Sequence, residues 1–341
     1  MDADPGDSSS LPGPGAAAPG ALLIDSTIHG VMPLGAQMGI WPKRSLPEPL
    51  EGPIFGPPGG APANSYGVLD AAAMPGLTAR LDRDATTARC LMGDDPDQAE
   101  AAPWLVAIAP GDDLTRKLFT APDHGGWWNG LTGIFLRSTA SLDALQAHLH
   151  PFLRQRGPSD RWHFLRFWDG AALVPYLHAL GRRPARLARW FASDHAQVAA
   201  VICADGTGWR HLAPGPDLTA GHYSDPTPEM RLEQDELDAF DAAMGRRFVA
   251  RLDQWLRDSH ATPLETGSAA GFVSRQVASI LTHGVQTEYA VARIVTACWI
   301  EGRDFSALPD SLKAMLDDAD SAEGARADRL LDSAMKRRGL T

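Results

Sequence analysis

The stretch LTGIFLRSTASLDALQAHLHPFL, Leu131–Leu153, decides the reading of the fold. Leu131–Arg137 is rich in apolar, β-prone side chains, which predicts a strand. Ser141 stands where a helix begins, because its hydroxyl accepts from amides of the first turn. Asp143 then complements the positive end of the helix dipole. Leu142, Leu145, Leu149 and Phe152 follow at helical spacing and share one face. A strand leading into an amphipathic helix is a building unit of layered α/β architectures.

The same signals recur on both sides. Tyr66–Asp70 (YGVLD) reads as a short strand and Leu77–Asp84 as a short helix. Trp104–Ala109 (WLVAIA), flanked by Pro103 and Pro110, reads as a buried strand. His163–Trp168 (HFLRFW) alternates as a strand does, and Ala171–Leu180 reads as a helix closed by Gly181. Val198–Cys203 and Gly208–Leu212 suggest a hairpin, with Asp205-Gly206 in the turn. Pro214–Pro228 is rich in Gly, Pro, Asp and Thr and marks a boundary. Beyond it the period is helical throughout. Leu237, Phe240, Met244, Phe248, Leu252, Trp255 and Leu256 form one stripe. Helices follow at Phe272–Leu281, Glu288–Ile300, Asp310–Leu316 and Ala322–Arg337, with Thr287 and Asp310 as caps.

The expected fold class is therefore α+β. A mixed α/β lobe with a central sheet occupies 66–213, a linker 214–228, and an all-helical lobe 229–341. Residues 1–65 form a Pro/Gly-rich leader, expected to be largely irregular, because Pro removes backbone donors and Gly raises the entropy cost of order. The leader also carries Ile24, Ile28, Val31, Met32, Met38, Ile40, Trp41, Ile54 and Phe55. A second reading has part of it docked on its own globular body or on a partner.

Composition narrows the function classes. The 341 residues suit about two domains. A formal charge of -11, from 42 acidic and 31 basic residues, argues against a nucleic-acid surface and an anionic membrane surface. No basic residue precedes Lys43, so no signal peptide is expected, and apolar runs such as Val198–Ala204 fall far short of the roughly 20 residues of a membrane span. Cys90, Cys203 and Cys298 are far apart and without metal-ligand spacing; they read as buried, inert thiols in a reducing cytosol.

The search for chemistry returns mostly absences. GxSxG, the Walker loop, a strand-linked GxGxxG and HExxH are all missing. His148 and His150 sit two apart, which places them on different helix faces and not on one metal. His163 and Asp169 offer an acid/base pair, but on an extended chain they lie about 20 Å apart. The simpler expectation there is a local Arg166–Asp169 ion pair. Trp127-Trp128, beside Gly125, Gly126 and Gly130, read either as an exposed stacking platform or as tryptophans folded onto the core.

The order of several short motifs resembles a known family. These are YGVLDAA (66–72), RCLMGD (89–94), APWLVAI (102–108), GIFLRSTASLDALQAHLHPFL (133–153) and HFLRFWDGAAL (163–173). Together they resemble the effector chaperones, or adaptors, of type VI secretion systems, over about residues 66–200. The pattern matches at Asp70, Pro103, Arg137, His148, Arg166 and Asp169. In the helical lobe, THGVQTEYAVARIVTACWIEGRDF (282–305) resembles the family's C-terminal stretch. Trp168-Asp169-Gly170 and Met92-Gly93-Asp94 depart from the family pattern, and the leader lies outside it.

The resemblance implies a bacterial cytosolic adaptor, not an enzyme, with no cofactor and no metal. It would bind one cognate toxic effector and promote its loading onto the VgrG spike. Phe240, Phe248, Trp255, Phe272, Val285 and Trp299 are then core or groove residues, and Trp127 and Trp128 are further candidates for partner contact. The acidic balance would suit a basic effector segment, and the free protein is expected to be monomeric. The alternatives are a hydrolase with its site around His163, Asp169 and the Trp127-Trp128 loop, or an effector-associated component that is itself secreted.

Overall fold

Seven antiparallel strands form the central sheet of a computed structural model, which describes residues 21–56, 63–83, 88–93, 99–128, 133–218, 230–260, 271–318 and 320–340. In chain order they are β1 (Leu23–Ile28), β2 (Asn64–Asp70), β3 (Ala88–Cys90), β4 (Pro103–Ile108), β5 (Gly133–Ser138), β8 (Val198–Ala204) and β9 (Trp209–Pro214). Across the sheet the order is β1-β9-β8-β5-β2-β4-β3. A separate hairpin pairs β6 (Arg154–Arg156) with β7 (Trp162–Phe164).

Both faces of the sheet are apolar because helices cover both. One face sets Leu69, Val106, Ile108, Phe135, Ile202 and Trp209 against three helices. These are α1 (Glu48–Phe55), α2 (Leu77–Arg83) and α3 (Asp113–Phe119). The alternate residues Ile134, Leu136, Val201, Cys203 and Leu212 are buried on the other face. There α4 (Leu142–Leu153), α5 (Gly170–Leu180) and α6 (Pro184–Phe191) pack against the sheet. Ser141 caps α4 by accepting from the Ala144 amide, as its sequence position predicts. The β8–β9 turn has Gly206 at φ +89°, where a side chain would be strained, and Asp205 Oδ1 accepts from the amides of Thr207 and Gly208.

The leader is the first correction. Residues 1–20 and 57–62 lie outside the described residues; the stretch between them is irregular over 29–47 apart from a bridge at Leu34, but it also forms a strand and a helix. β1 pairs along its whole length with β9, from Leu23↔Pro214 to Ile28↔Trp209. α1 forms despite two prolines: Pro49, in the first helical turn, forfeits no hydrogen bond, and Pro53, inside the helix, forfeits only the one its own amide would make. Leu46, Leu50 and Ile54, four apart, are buried against the sheet. The apolar residues of the leader therefore divide. Ile28, Val31, Ile54 and Phe55 pack on the core, whereas Met32, Met38, Ile40 and Trp41 are exposed. The loop that carries them is pinned at Leu34, whose amide donates to the Phe119 carbonyl (2.8 Å) and whose carbonyl accepts from Ala121 (2.9 Å).

The strand read at His163–Trp168 is the second correction. Only Trp162–Phe164 is extended, and it pairs with β6 rather than joining the main sheet. The chain then turns at Arg166–Asp169 into α5, with the Asp169 amide donating to the Arg166 carbonyl.

The remaining helices are α7 (Gln234–Ser259), α8 (Phe272–Thr282), α9 (Glu288–Glu301), α10 (Asp310–Lys313) and α11 (Glu323–Arg337). Thr287 caps α9 as expected, but Asp310 is the first residue of α10 rather than its cap. The chain divides into two compact units between Asp241 and Ala242, inside α7 and later than the break read at 214–228. Of that break, 219–229 lie outside the described residues. The reason for the later division is local. The first turns of α7 belong to the N-terminal unit: Phe240 packs on Tyr176 (4.7 Å between centroids), and Asp235 and Glu236 pair with Arg183 and Arg186. The second unit has its own core, in which Leu252, Leu256, Phe272, Ile280, Ile294, Trp299 and Leu330 are buried.

Candidate functional site

The six residues singled out by motif occupy joints between elements. Asp70 ends β2 opposite Pro103, the first residue of β4. Its carboxylate accepts from the Ala72 amide (3.1 Å) and pairs with Arg166, which arrives from the turn before α5. That pairing replaces the expected Arg166–Asp169 contact as the ion pair resolved for Arg166. Asp169 instead caps α5 by accepting from the Ala171 amide (3.1 Å).

Arg137 lies on β5 and is 3% exposed. Its guanidinium donates to the Ile54 and Gly56 carbonyls at the end of α1 and to the Ser65 hydroxyl on β2. Burial alone works against its charge. Charge and fork geometry let one side chain satisfy three acceptors that no helix or strand would otherwise pair.

His148 on α4 is 2% exposed and bridges to α6. Nε2 lies 2.9 Å from the Trp190 carbonyl and Nδ1 2.8 Å from the Ser193 hydroxyl. The carbonyl can only accept, so Nε2 carries the proton and Nδ1 accepts from Ser193. Burial, the leading cause, pushes the imidazole pKa down to about 4 from 6.5. Below 6.5 the unfolded chain binds a proton that the folded chain refuses. This contribution is therefore intact above pH 6.5 and is lost as pH falls towards 4, amounting to about 3 kcal/mol. Urea unfolding of the wild type and of His148→Gln at a series of pH values checks it. The wild type should lose stability more steeply than the variant between pH 6.5 and 4.5, and parallel curves would refute the assignment.

The tryptophan loop folds onto the core. Trp128 stacks on Trp209 (5.6 Å, 24°) and leans on Phe119 (6.3 Å), while Lys117 sits over the Trp127 ring at 4.2 Å. Both tryptophans remain half-buried. Gly126 makes this possible, because a Cβ there would lie 1.9 Å from the Thr120 carbonyl oxygen.

The other partner-contact candidates separate into core and surface. Phe240, Phe272, Val285 and Trp299 are buried, Phe248 is half-buried on the helical core, and Trp255 is 47% exposed. Trp255 shares the apolar stripe of α7 in sequence but faces outward, edge-on to His260.

The residues of the hydrolase alternative have separate duties. His163 is on β7, its ring within 2.6 Å of where a Gly157 Cβ would lie, while Asp169 caps a helix. A His–Asp hydrogen bond does occur, between His178 Nε2 and Asp25 (2.8 Å), but Asp25 is also held by Arg210. Cys203 and Cys298 are buried with their thiols pushed far up by that burial. Among the described residues no cluster of His, Cys, Asp and Glu is arranged to hold a metal ion, and no helix is long and apolar enough to cross a membrane.

The exposed aromatics Trp162 and Phe164 escaped the sequence reading. Their signal lay in RQRGPSDRWHF, 154–164: alternation on either side of the turn residues Gly157-Pro158-Ser159-Asp160.

The architecture is thus an antiparallel α/β unit followed by a helical one, with the motif residues at its joints. A family model described as "Domain of unknown function (DUF4123)" matches residues 65–186, from β2 into α6, and this stretch holds all six of those residues. Comparison with curated proteins and with solved structures returned no match.

Proposed function

We propose that this chain is an adaptor for a toxic effector of a type VI secretion system, binding its cognate effector in the bacterial cytosol and promoting loading onto the VgrG spike. The family match at 65–186 carries the reading, because it covers the stretch whose motifs resemble those adaptors. The motif side chains support it. Asp70, Arg137, His148, Arg166 and Asp169 are engaged in ion pairs, caps and interelement hydrogen bonds, the work of a scaffold. The N-terminal unit also displays Met32, Met38, Ile40, Trp41, Trp162 and Phe164 to solvent, the kind of side chain that anchors protein interfaces. In this reading the chain catalyses no reaction and is a monomer until it meets its partner.

Co-expression with the toxin and spike proteins encoded beside it tests the proposal. A stoichiometric complex on size-exclusion chromatography, with the toxin soluble only when this chain is present, is the expected result. A toxin equally soluble alone, with no complex formed, would overturn it.

A further inference from the structure

The β6–β7 hairpin has two unlike faces. The register sets Arg154 opposite Phe164, Gln155 opposite His163, and Arg156 opposite Trp162. Strand alternation then puts Arg154, Arg156, Trp162 and Phe164 on one face and Gln155 and His163 on the other. The second face is turned inward, with Gln155 1% exposed. On the first, Trp162 is 48% and Phe164 49% exposed. The Arg154 and Arg156 guanidiniums lie 4.5 and 4.8 Å from the Trp162 ring centroid, and Phe164 meets Trp168 edge-on at 5.6 Å.

The charge of this face is opposite to that of the whole chain. Arg156 and Arg231 share Asp160, each at 2.7 Å, and Arg166 is held by Asp70. Among the described residues Arg154 has no carboxylate partner. Among the described residues this patch is net positive and aromatic, on a protein of net charge -11. Tryptophan and arginine are the side chains most enriched at interface hot spots. Stacking of Arg154 and Arg156 on Trp162 already restricts their rotamers, so less conformational freedom is lost when a partner binds.

We propose that this face is a docking surface for a segment of a partner protein in which acidic side chains stand beside aromatic or large aliphatic ones. A carboxylate would pair with Arg154, whose planar fork suits bidentate contact, and would lie beside Arg156. Apolar side chains would cover Trp162 and Phe164. The local charge selects an acidic segment, although the chain-wide balance favours basic partners. The two arginines of this face, on an anionic protein, are too few for a nucleic-acid backbone, which needs many phosphate contacts. The same net charge opposes a second copy of this chain. The adaptor reading supplies the identity of the partner, a type VI effector; the surface itself stands on the hairpin geometry.

Fluorescence anisotropy with the full-length chain tests it, using labelled poly(Glu,Tyr) copolymer, poly(Glu) and an oligo(dT) single strand as probes. The copolymer should bind more tightly than poly(Glu), and both should exceed oligo(dT). Trp162→Ala and Arg154→Glu should each weaken copolymer binding by about tenfold or more. Leu281→Ala, which removes an exposed apolar side chain of the second unit, should leave it unchanged. Phe164→Ser serves in place of any variant whose melting transition shifts. No copolymer binding, or equal binding by the wild type and the hairpin variants, overturns the proposal. Oligo(dT) binding that the same variants abolish replaces it with a nucleic-acid surface. Dimerisation on size-exclusion chromatography that these variants abolish replaces it with a self-interface. If the toxin of the preceding test does not associate but the copolymer still discriminates, the adaptor reading falls and the docking surface stands.

Discussion

Arg137→Met should lower the stability of the N-terminal unit by roughly 3–5 kcal/mol, because it removes three hydrogen bonds from a charged donor, each worth about 1.5–3 kcal/mol. The acceptors are the Ile54 and Gly56 carbonyls and the Ser65 hydroxyl. The methionine fills much of the volume, so the loss reports on hydrogen bonding more than on a cavity. Removing a charge that burial disfavours returns part of the energy, but Ser65 can cover only the Ile54 carbonyl, through the bond its hydroxyl already makes (2.6 Å). Arg137→Lys should fall close to Met, because a single ammonium cannot span three acceptors with the arginine fork. The readouts are the urea midpoint and hydrogen exchange of the α1 amides, which should quicken first. Full stability in the methionine variant would mean that α1 does not depend on this side chain.

Trp299→Ala should be as severe in the second unit, at about 3–5 kcal/mol, as for other large aromatic truncations in a core. Trp299 is 0% exposed and meets Phe272 edge-on at 5.8 Å, with the Arg257 guanidinium 5.9 Å from its ring. Trp255→Ala, on the exposed side of α7, should cost only about 0.5 kcal/mol. Urea unfolding followed by far-ultraviolet circular dichroism compares the two. Near-equal losses would contradict the placement of Trp299 in the core and of Trp255 at the surface.

These two tryptophans illustrate what the sequence makes legible. Helical periodicity placed Trp255 on an apolar stripe and Trp299 within a helix, but periodicity cannot tell a stripe's centre from its margin, and Trp255 stands at the margin. Local signals were read well: the Ser141 cap, the apolar strand before it, and the Asp205-Gly206 turn each depend on neighbours a few residues away. Non-local ones were not. α1 was missed because prolines crowd the sequence around it, and what holds it is non-local: Leu50 and Ile54 bury against the sheet, and Arg137 reaches it from 83 residues beyond Ile54. Arg166 was expected to pair with Asp169, three residues away, but pairs with Asp70, 96 residues away. The motif residues could be located by resemblance, yet their role as joints needs the partners that only folding brings together. The hairpin face was missed for a different reason: HFLRFW alternates as any buried strand does, and nothing in it marks where the extended backbone stops.

Strand β1 has a consequence for biosynthesis. Ser26 lies opposite His211 on β9, 185 residues later in the chain. At roughly 5–20 residues per second, a ribosome needs on the order of ten to forty seconds to make that partner after β1 emerges. Throughout this interval Leu23–Ile28 is a strand without its template. The nascent β2–β4–β3 portion, by contrast, meets its partners from nearby sequence. Pairing of β1 therefore waits for β9, and nascent chains that stall before Pro214 carry an unpaired, β-prone segment, the kind of species that chaperones and proteases recognise.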